Sequence, residues 1–441
     1  MRLWGWLSAV GLLLAQVPGV AVEPPAAATG EAAPASEGDA ATPVPQAPTW
    51  LAIEGGTVHT VSGPVLRETT VLVKDGKIHA IGSRVQIPES AERVDARGHH
   101  VYPGLIAVRS RGLVGERDPQ NSTDVFSLNL TLGLAGGLTT VMAGNVAVKL
   151  TAGTLEGHVI PERVFEPLEY RNSRPEDRRR VREGMTRVAA YRAELAEYER
   201  EKSKDPQRKA PDKGWLRGEY SKYLDLIEGR AIALGSATTW AEITGYCELA
   251  QQFGFALVLD GAEEGWAVAA EMARAGVGAI ITPRIRRDPA PELIAASGSC
   301  IENAARLHEG GVVFAVVPQM AIISLDGRAG RDLFNLPFEA AFAVRGGLPP
   351  DVALRSITLD AARVLGLDRR LGSIEVGKDA DFAVVDGDLL HYQTLVRWTI
   401  VNGRIVYDRM KDTLLDHIRP PADPNAPPMI DGWPRDLGEE F

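Results

Sequence analysis

The segment "AIALGSATTWAEITGYCELAQQFGFALVLDG", residues 231–261, holds two short apolar runs separated by a helical pattern. The runs cover residues 231–236 and 255–261, and the helical pattern covers 243–254. Each run is almost wholly apolar instead of alternating with polar residues, which is typical of a strand buried on both faces of a parallel sheet. The segment therefore predicts a strand–helix–strand unit.

The same unit recurs along the central part of the chain. Further apolar runs lie at 104–108, 138–144, 277–284 and 312–319, and further helical patterns at 266–276 and 301–311. Roughly eight such units fit between residues 103 and 368, which suits a (β/α)₈ barrel. We therefore predict an α/β fold with a TIM barrel over 103–368, and a doubly wound open sheet is the alternative.

Both ends of the folded region have a different pattern, in which apolar and polar residues alternate. The stretch "TTVLVKDGKIHAIG" has Asp75-Gly76 between two β-rich runs, and "VRWTIVNGRIVYD" has Asn402-Gly403 in the same place. Both dipeptides favour tight hairpin turns. We predict one small composite β-sandwich built from residues 49–102 and 369–410.

A charged segment at about 170–228 does not fit the alternation and predicts a helical insertion. Ser173 and Glu176 form a capping-box pattern that predicts the start of a long helix ending near Lys202. Apolar residues at three- and four-residue steps give this helix one stripe, formed by Val181, Met185, Val188, Tyr191, Leu195 and Tyr198. The stripe packs either on the helices of the barrel or on a partner.

The two termini have the patterns of processed or irregular segments. Residues 1–21 contain a basic start, an apolar run and small residues, which indicates a signal peptide, with an uncleaved anchor as the alternative. Residues 22–48 are rich in Ala and Pro and predict a flexible linker, and residues 411–441 predict an irregular tail. We expect an exported protein, periplasmic or secreted, without membrane attachment after cleavage.

Composition narrows the function classes. The formal net charge is −10 and no basic stripe interleaved with aromatic residues is present, so nucleic-acid binding is not expected. The chain has only two cysteines, Cys247 and Cys300, both in segments that predict helices. They exclude a disulfide framework and favour two buried thiols.

Four motifs give the chain a family resemblance. They are "VLVKDGKIHAIG" (71–82), "VDARGHHVYPGLI" (94–106), "ALRSITLDAARVLGLDRRLGSIEVGKDADFAVVDGD" (353–388) and "VNGRIVYD" (401–408). With them the chain, over about residues 50 to 410, resembles the amidohydrolase superfamily and in particular its imidazolonepropionase-like branch. The resemblance implies a barrel with a composite β-sandwich, and hydrolysis of C–N bonds assisted by zinc or another divalent ion held at the C-terminal ends of barrel strands.

The positions that carry metal ligands in the family hold other residues in this chain. The resemblance places a His-x-His motif after the first barrel strand, where this sequence has Arg109 and Arg111. Arginine has five donors and no acceptor, so it cannot ligate a cation.

Three later strand ends complete the comparison with the family pattern. Ser236 stands where a histidine is expected, Asp260 where another is expected, and Gln319 where a catalytic aspartate is expected. Asp260 alone retains a ligand type. We expect no metal cofactor, and we assign no catalytic residue.

A residual site could draw on other residues. Lys149 occupies a segment where some relatives carry a carboxylated lysine that bridges two metals, and Glu156 and His158 follow closely. Together with Asp260 they form the ligand set of an alternative, metal-dependent hydrolase of non-peptide or dipeptide C–N bonds.

Three functions follow from these observations. The first is a catalytically degenerate family member with a binding or scaffold role, as a homo-oligomer or as a hetero-oligomer with an active amidohydrolase paralogue. The second is the hydrolase with a non-standard ligand set. The third is a binder of a small anionic ligand, held by Arg109, Arg111 and Arg284 at the barrel mouth.

One further expectation concerns the electrostatics of the mouth. Arg109 and Arg111 should replace the lost cation by neutralising Asp260 and the neighbouring Glu263 and Glu264.

Overall fold

The computed structural model describes residues 48–163, 165–205, 207–294, 297–323 and 330–412. The predicted signal peptide, nearly all of the predicted linker and most of the predicted tail lie outside these residues. The strands are β1 Trp50–His59, β2 Val65–Lys74, β3 Lys77–Gly82, β4 Glu92–Asp95, β5 His100–Pro103, β6 Leu105–Ala107, β7 Leu138–Ala143, β8 Val146–Lys149, β9 Val159–Arg163, β10 Phe165–Pro167, β11 Ile232–Ala237, β12 Leu257–Gly261, β13 Gly278–Ile281, β14 Phe314–Val316, β15 Phe382–Val385, β16 Val396–Val401 and β17 Arg404–Asp408. The helices are α1 Pro119–Ser122, α2 Leu128–Ala135, α3 Pro175–Glu201, α4 Glu219–Ile227, α5 Trp240–Phe253, α6 Ala269–Arg274, α7 Asn303–Glu309, α8 Leu336–Arg345, α9 Pro350–Ser356 and α10 Leu359–Val364, with 3₁₀ turns at Gly265–Ala267, Pro291–Leu293 and Leu333–Asn335.

Strands from both ends of the folded region share one eight-stranded sheet. Its order is β17-β16-β15-β5-β1-β2-β3, and β4 pairs with β1. The two chain ends meet where β15 pairs antiparallel with β5, with Phe382 opposite Pro103 and Val385 opposite His100. Buried apolar side chains of both ends, such as Ile53 and Val384, form a common core. The two β-rich segments are therefore one structural layer.

The central alternation of apolar runs and helical patterns forms parallel strands. All six apolar runs contain a strand, namely β6, β7, β11, β12, β13 and β14. Strands β10 to β14 form a five-stranded sheet in sequence order, and all of its pairings are parallel. Because parallel strands point the same way, their C-terminal ends lie along one edge, where α/β folds place functional residues.

The remaining strands depart from the predicted barrel pattern. Strands β6 to β9 form a separate four-stranded sheet in which β6 and β7 are parallel but β8 runs antiparallel to both β7 and β9. Within the described ranges, strand pairing thus gives two sheets of four and five strands and does not close one ring. The antiparallel direction of β8 has a local reason, because Gly144, with φ +59°, turns the chain directly from β7 into β8 without a connecting helix.

The helical insertion is present, although its start differs from the prediction. Helix α3 begins at Pro175 with Arg174 as its N-cap residue, and no capping side chain is bonded there. Proline is favoured at the first helical position because its fixed φ and missing N–H suit that place, so Pro175 sets the start instead of Ser173. The predicted stripe packs within this chain on α4 and α5, with Val181, Met185, Val188 and Tyr191 buried.

Two smaller expectations concern the cysteines and the membrane. Cys247 is buried, and burial raises the pKa of its thiol to about 12. Cys300 is partly exposed, so the prediction of two buried thiols is wrong for this residue. Within the described ranges no helix has the length and apolar character needed to cross a bilayer.

Candidate functional site

An ion pair joins the ends of two strands that belong to different sheets. Arg109 follows β6 by two residues, and Asp260 is the penultimate residue of β12. The Arg109 Nη1 atom lies 2.8 Å from Asp260 Oδ1 and 3.1 Å from Oδ2, while Nη2 donates to the Pro318 carbonyl at 3.4 Å. Side-chain exposure is 36% for Arg109 and 28% for Asp260, so the pair is partly shielded from water. The guanidinium thus occupies both oxygens of the carboxylate.

Ser236 lies beside this pair. It is opposite Asp260 in the register of β11 and β12. Residues in register on parallel strands project to the same side of the sheet. Ser236 is exposed, so it contributes a solvent-accessible hydroxyl next to the Arg109–Asp260 pair.

Arg111 does not take part, which corrects the expectation that both arginines neutralise the mouth. Its side chain is 79% exposed, and its nearest carboxylate is Glu116 at 3.9 Å. The strand ends at Ala107, so the alternation that would point residues 109 and 111 the same way does not continue. The backbone is fixed in another direction, since Arg111 N donates to Ala321 O at 2.6 Å.

The Gln319 side chain is bonded to a residue outside the ion pair. It is exposed, and its side-chain oxygen accepts a hydrogen bond from Arg331 at 2.8 Å. The residue just before it, Pro318, contributes its carbonyl to Arg109. The strand end predicted to carry a degenerate catalytic position therefore supplies backbone instead of the Gln319 side chain.

Arg284, which follows β13 at this edge, has its own carboxylate partner. Arg284 bonds Glu339 through its backbone N at 2.9 Å and its Nε at 2.7 Å, and the Glu339 side chain is only 1% exposed. Arg284 also donates to the Gly330 carbonyl. Arg109, Arg111 and Arg284 therefore do not form a shared cationic cup, because two are paired and the third faces solvent.

The acidic residues after β12 are held by Arg287. Its guanidinium lies 3.8 Å from Glu263 and 3.7 Å from Glu264. The expectation that Arg109 or Arg111 neutralises these two glutamates is therefore wrong. Burial raises the pKa of Glu263, Arg287 opposes that rise and Glu264 adds to it. Glu264 is buried and accepts hydrogen bonds from the backbone N–H groups of Trp240 and Gly298, both within 3 Å, so it ties loops together.

The backbone between Asp260 and these glutamates is strained. Ala262 has φ +40°, a conformation that residues with a side chain rarely adopt, and it is fully buried. Its N–H donates to Ala237 O at 2.7 Å, which holds the turn. Strain of this kind is common next to functional sites, and here it sets the direction in which Asp260 and Glu263 leave the strand.

Lys149 lies elsewhere, in a buried ionic cluster. Its Nζ is 2.7 Å from Asp379 Oδ2, 2.9 Å from Asp381 Oδ2 and 2.6 Å from Asn402 Oδ1, and its side chain is 1% exposed. Because β8 is antiparallel to β7, its C-terminal end points to the opposite edge from Arg109. Lys149 thus joins the central strands to the eight-stranded sheet and does not belong to a residual site with Asp260.

His158 is also on that opposite edge, since it immediately precedes β9. Its ring lies 3.1 Å from Thr151 Oγ1 and 3.0 Å from Thr123 Oγ1, and burial lowers its pKa. Glu156 is exposed and pairs with Arg404 at 2.9 Å. The proposed alternative ligands therefore do not converge on one point.

The fit of a divalent metal can be judged from these contacts. Within the described ranges, no three His, Cys, Asp or Glu side chains are grouped so that they could hold an ion. Asp260 has the right ligand chemistry, but a guanidinium occupies both of its oxygens. The described residues at the strand ends do not fit the metal that the family resemblance implies.

Sequence reasoning missed two members of the site. Arg287 and Glu339 complete the charge pairing at the strand ends, and neither stands at a position where the family resemblance expects a ligand. The run "RIRRD" after β13 signals a cluster of positive charge, but its spacing does not show that Arg284 and Arg287 reach different carboxylates.

Comparisons with known proteins agree with the resemblance. Residues 270–410 match the sequence profile of the amidohydrolase family. An 84-residue stretch is 37% identical to the imidazolonepropionase of Thermoplasma volcanium and covers 18% of this chain and 21% of that protein. A 94-residue stretch is 35% identical to the dihydroorotase of Anaeromyxobacter dehalogenans and covers 21% of each. The matches thus span about a fifth of the length of these curated relatives.

A solved structure shares the fold. The amidohydrolase from Thermotoga maritima superposes with a TM-score of 0.61 at 21% sequence identity, covering 81% of this chain and all of that one. Together these findings confirm the resemblance to the amidohydrolase superfamily.

Proposed function

We propose that this amidohydrolase-family chain is a catalytically degenerate, exported homologue with a binding or scaffold role. The observation that carries the proposal is the Arg109–Asp260 ion pair, at 2.8 Å, between the ends of β6 and β12. In a metal-assisted hydrolase this space would hold a cation and its bound water. Here the positive charge is supplied by a side chain that has no lone pair to offer.

The charges around the ion pair support the same conclusion. Arg284 is hydrogen-bonded to Glu339 of α8, and Arg287 lies within 4 Å of Glu263 and Glu264, so the carboxylates near these strand ends have cationic neighbours from the chain itself. A carboxylate that already has a charge-assisted partner is a poor ligand for an added ion, because the arginine must first be displaced.

A degenerate barrel could act through a partner, and we propose a second copy or an active amidohydrolase paralogue. Support for this part comes from the sequence framework, which keeps the motifs of the family outside the ligand positions. The partner role is tested by co-expression with a paralogue that has an intact His-x-His motif. Co-elution of the two chains as one species supports it, and separate elution contradicts it.

Loss of catalysis is tested by assaying purified protein against acyl-amino-acid, dipeptide and cyclic-amide substrates, with and without added zinc. We expect no turnover above background under either condition. Asp260→Ala is the matched control, because it removes the one residue at these positions with a ligand type. Turnover that zinc stimulates, that a chelator abolishes and that Asp260→Ala lacks would show that the chain is a metal-dependent hydrolase.

A further inference from the structure

We propose that a cleft on the helical insertion binds a phosphoryl group, a site that is independent of the strand-end ion pairs. The cleft lies along the first turns of α3 and has a volume of about 420 Å³. It is lined by Asn172, Pro175, Arg178, Arg179, Arg182 and Glu183. We call it the α3 cleft.

One tyrosine positions two of the arginines. The guanidinium carbons of Arg178 and Arg182 lie 4.6 and 5.8 Å from the centre of the Tyr170 ring, and Arg182 Nε also donates to the Tyr170 hydroxyl. Tyr170 is 1% exposed, and its backbone N–H is bonded to the Tyr246 hydroxyl at 2.9 Å. A fixed ring therefore orients both guanidinium groups before any ligand arrives, which reduces the entropic cost of binding.

The positive charge in the cleft is poorly neutralised. Arg178 Nη1 donates to the neutral amide oxygen of Asn172 at 2.7 Å, and within the described ranges Arg178 forms no ion pair. Arg182 reaches Glu248 only at 3.8 Å, between side chains that are 44% and 61% exposed. Ion pairs this long and exposed contribute little and are screened by salt.

The third arginine of the cleft is no better compensated. Arg179 is 3.9 Å from Glu183, and the two side chains are 72% and 73% exposed. Glu183 is the one carboxylate among the lining residues, against three guanidinium groups. The cleft therefore attracts an anion with more than one oxygen, and planar guanidinium forks match the geometry of a phosphoryl group.

The neighbouring helix leaves room for Arg178 through a glycine. A Cβ atom at Gly245 of α5 would lie 3.2 Å from Arg178 Nη2 and 3.7 Å from Asn172 Oδ1. The Arg178 guanidinium therefore lies close to α5 as well as to the Tyr170 ring, which limits its freedom before a ligand arrives.

The test uses the purified full chain and inorganic phosphate as the probe, with binding measured by isothermal titration calorimetry at low salt. We expect saturable binding that weakens at least tenfold in Arg178→Ala and in Arg182→Ala. Arg187→Ala is the matched control, because Arg187 lies on the same helix but stacks on Trp215 at 4.1 Å, outside the cleft. It removes the same net charge and should change phosphate affinity by less than a factor of two.

A second arm separates two sources of the phosphoryl group. Flotation with vesicles of phosphatidylcholine, with and without phosphatidic acid, tests a lipid headgroup. Binding to phosphatidic acid alone, lost in Arg178→Ala and kept in Arg187→Ala, assigns the site to lipid phosphate. Binding to inorganic phosphate with the same pattern assigns it to a soluble phosphate.

Two results would overturn the proposal. One is the absence of saturable binding to both probes by the unaltered chain. The other is an equal effect of Arg178→Ala and Arg187→Ala, which would mean that net charge and not the cleft is responsible. Because a folding defect could imitate a loss of binding, Arg178→Lys serves as a second variant. It keeps the charge without the fork, and we expect an affinity between those of the unaltered chain and Arg178→Ala.

Discussion

Arg109 and Asp260 are predicted to stabilise the fold as a coupled pair. Each single alanine variant leaves one partner charged and partly shielded from water, whereas the double variant removes both charges. We therefore expect the double variant to be less destabilised than the sum of the single variants. The difference is the coupling free energy of the pair.

The magnitude follows from the exposure of the two side chains. Two unit charges about 4 Å apart attract by about 1 kcal/mol in water and about 4 kcal/mol at the effective dielectric constant of a protein surface. Exposures of 36% and 28% place the pair between these limits, and desolvation and side-chain ordering oppose the attraction. We expect a coupling of about 1–2 kcal/mol, more than a typical exposed pair and less than the ~3–5 kcal/mol lost on breaking a buried one.

The assay is urea-induced unfolding of the unaltered chain, the two single variants and the double variant at one pH and salt concentration. Unfolding is followed by far-UV circular dichroism and tryptophan fluorescence, and coincident transitions justify two-state free energies. The control is the same cycle with Arg111 in place of Arg109, because Arg111 is 79% exposed and, among the described residues, its one ion pair is with Glu116 at 3.9 Å. A coupling of zero for Arg109, or an equal coupling for Arg111, would refute the reasoning.

Three other properties can be tested on the same protein. Burial and then the charge of His100 lower the pKa of His59 from 6.5 to about 4. Because the unfolded chain takes up a proton at His59 at a higher pH than the folded chain, stability should fall as the pH drops from about 6.5 to 4. The unfolding free energy of His59→Gln should depend less on pH over this range. Burial opposes ionisation of Asp379, but nearby cations including Lys149 outweigh burial and lower the pKa of Asp379 to about 2. The ionised carboxylate therefore contributes fully to stability above about pH 4, and this contribution is lost towards pH 2. Acid titration of Asp379→Asn should lack this loss of stability. Gly104→Ala should lower the unfolding free energy by about 1–3 kcal/mol or more, because the new Cβ would lie 2.1 Å from Thr139 Oγ1. Gly98→Ala meets no atom within 4 Å but has φ +77°, so it should lower the unfolding free energy by only about 1 kcal/mol. Equal losses in the two variants would contradict the role given to the contact with Thr139.

The strands were predictable wherever hydrophobic pattern alone determines them. The apolar runs that became β12 and β13 consist largely of buried residues, so their composition carries the signal. The antiparallel pairing of β8 with β7 was not predicted, because β8 has only four residues and its direction depends on the turn at Gly144. The N-cap of α3 was predicted one residue too early, at Ser173 instead of Arg174, because Pro175 and not the capping-box pattern sets the start of the helix.

The site was predictable as a set of strand ends but not as a set of contacts. Strand ends placed Asp260 and Arg109 at one edge, whereas the direction of Arg111 depends on where β6 stops and on the bond from its N–H to Ala321 O. Lys149 is the last residue of β8, which follows β7 directly in the sequence, yet the antiparallel direction of β8 places Lys149 at the other edge. Such reversals depend on tertiary pairing that no local pattern records.

The central claim is that a side chain has replaced the divalent cation at the strand ends. It is tested most directly by inductively coupled plasma mass spectrometry on protein incubated with zinc and then passed through gel filtration. The ion pair of Arg109 with Asp260 predicts zinc far below one ion per chain, unchanged in Asp260→Ala. Retention of about one zinc per chain by the unaltered protein, with loss in Asp260→Ala, would contradict the account.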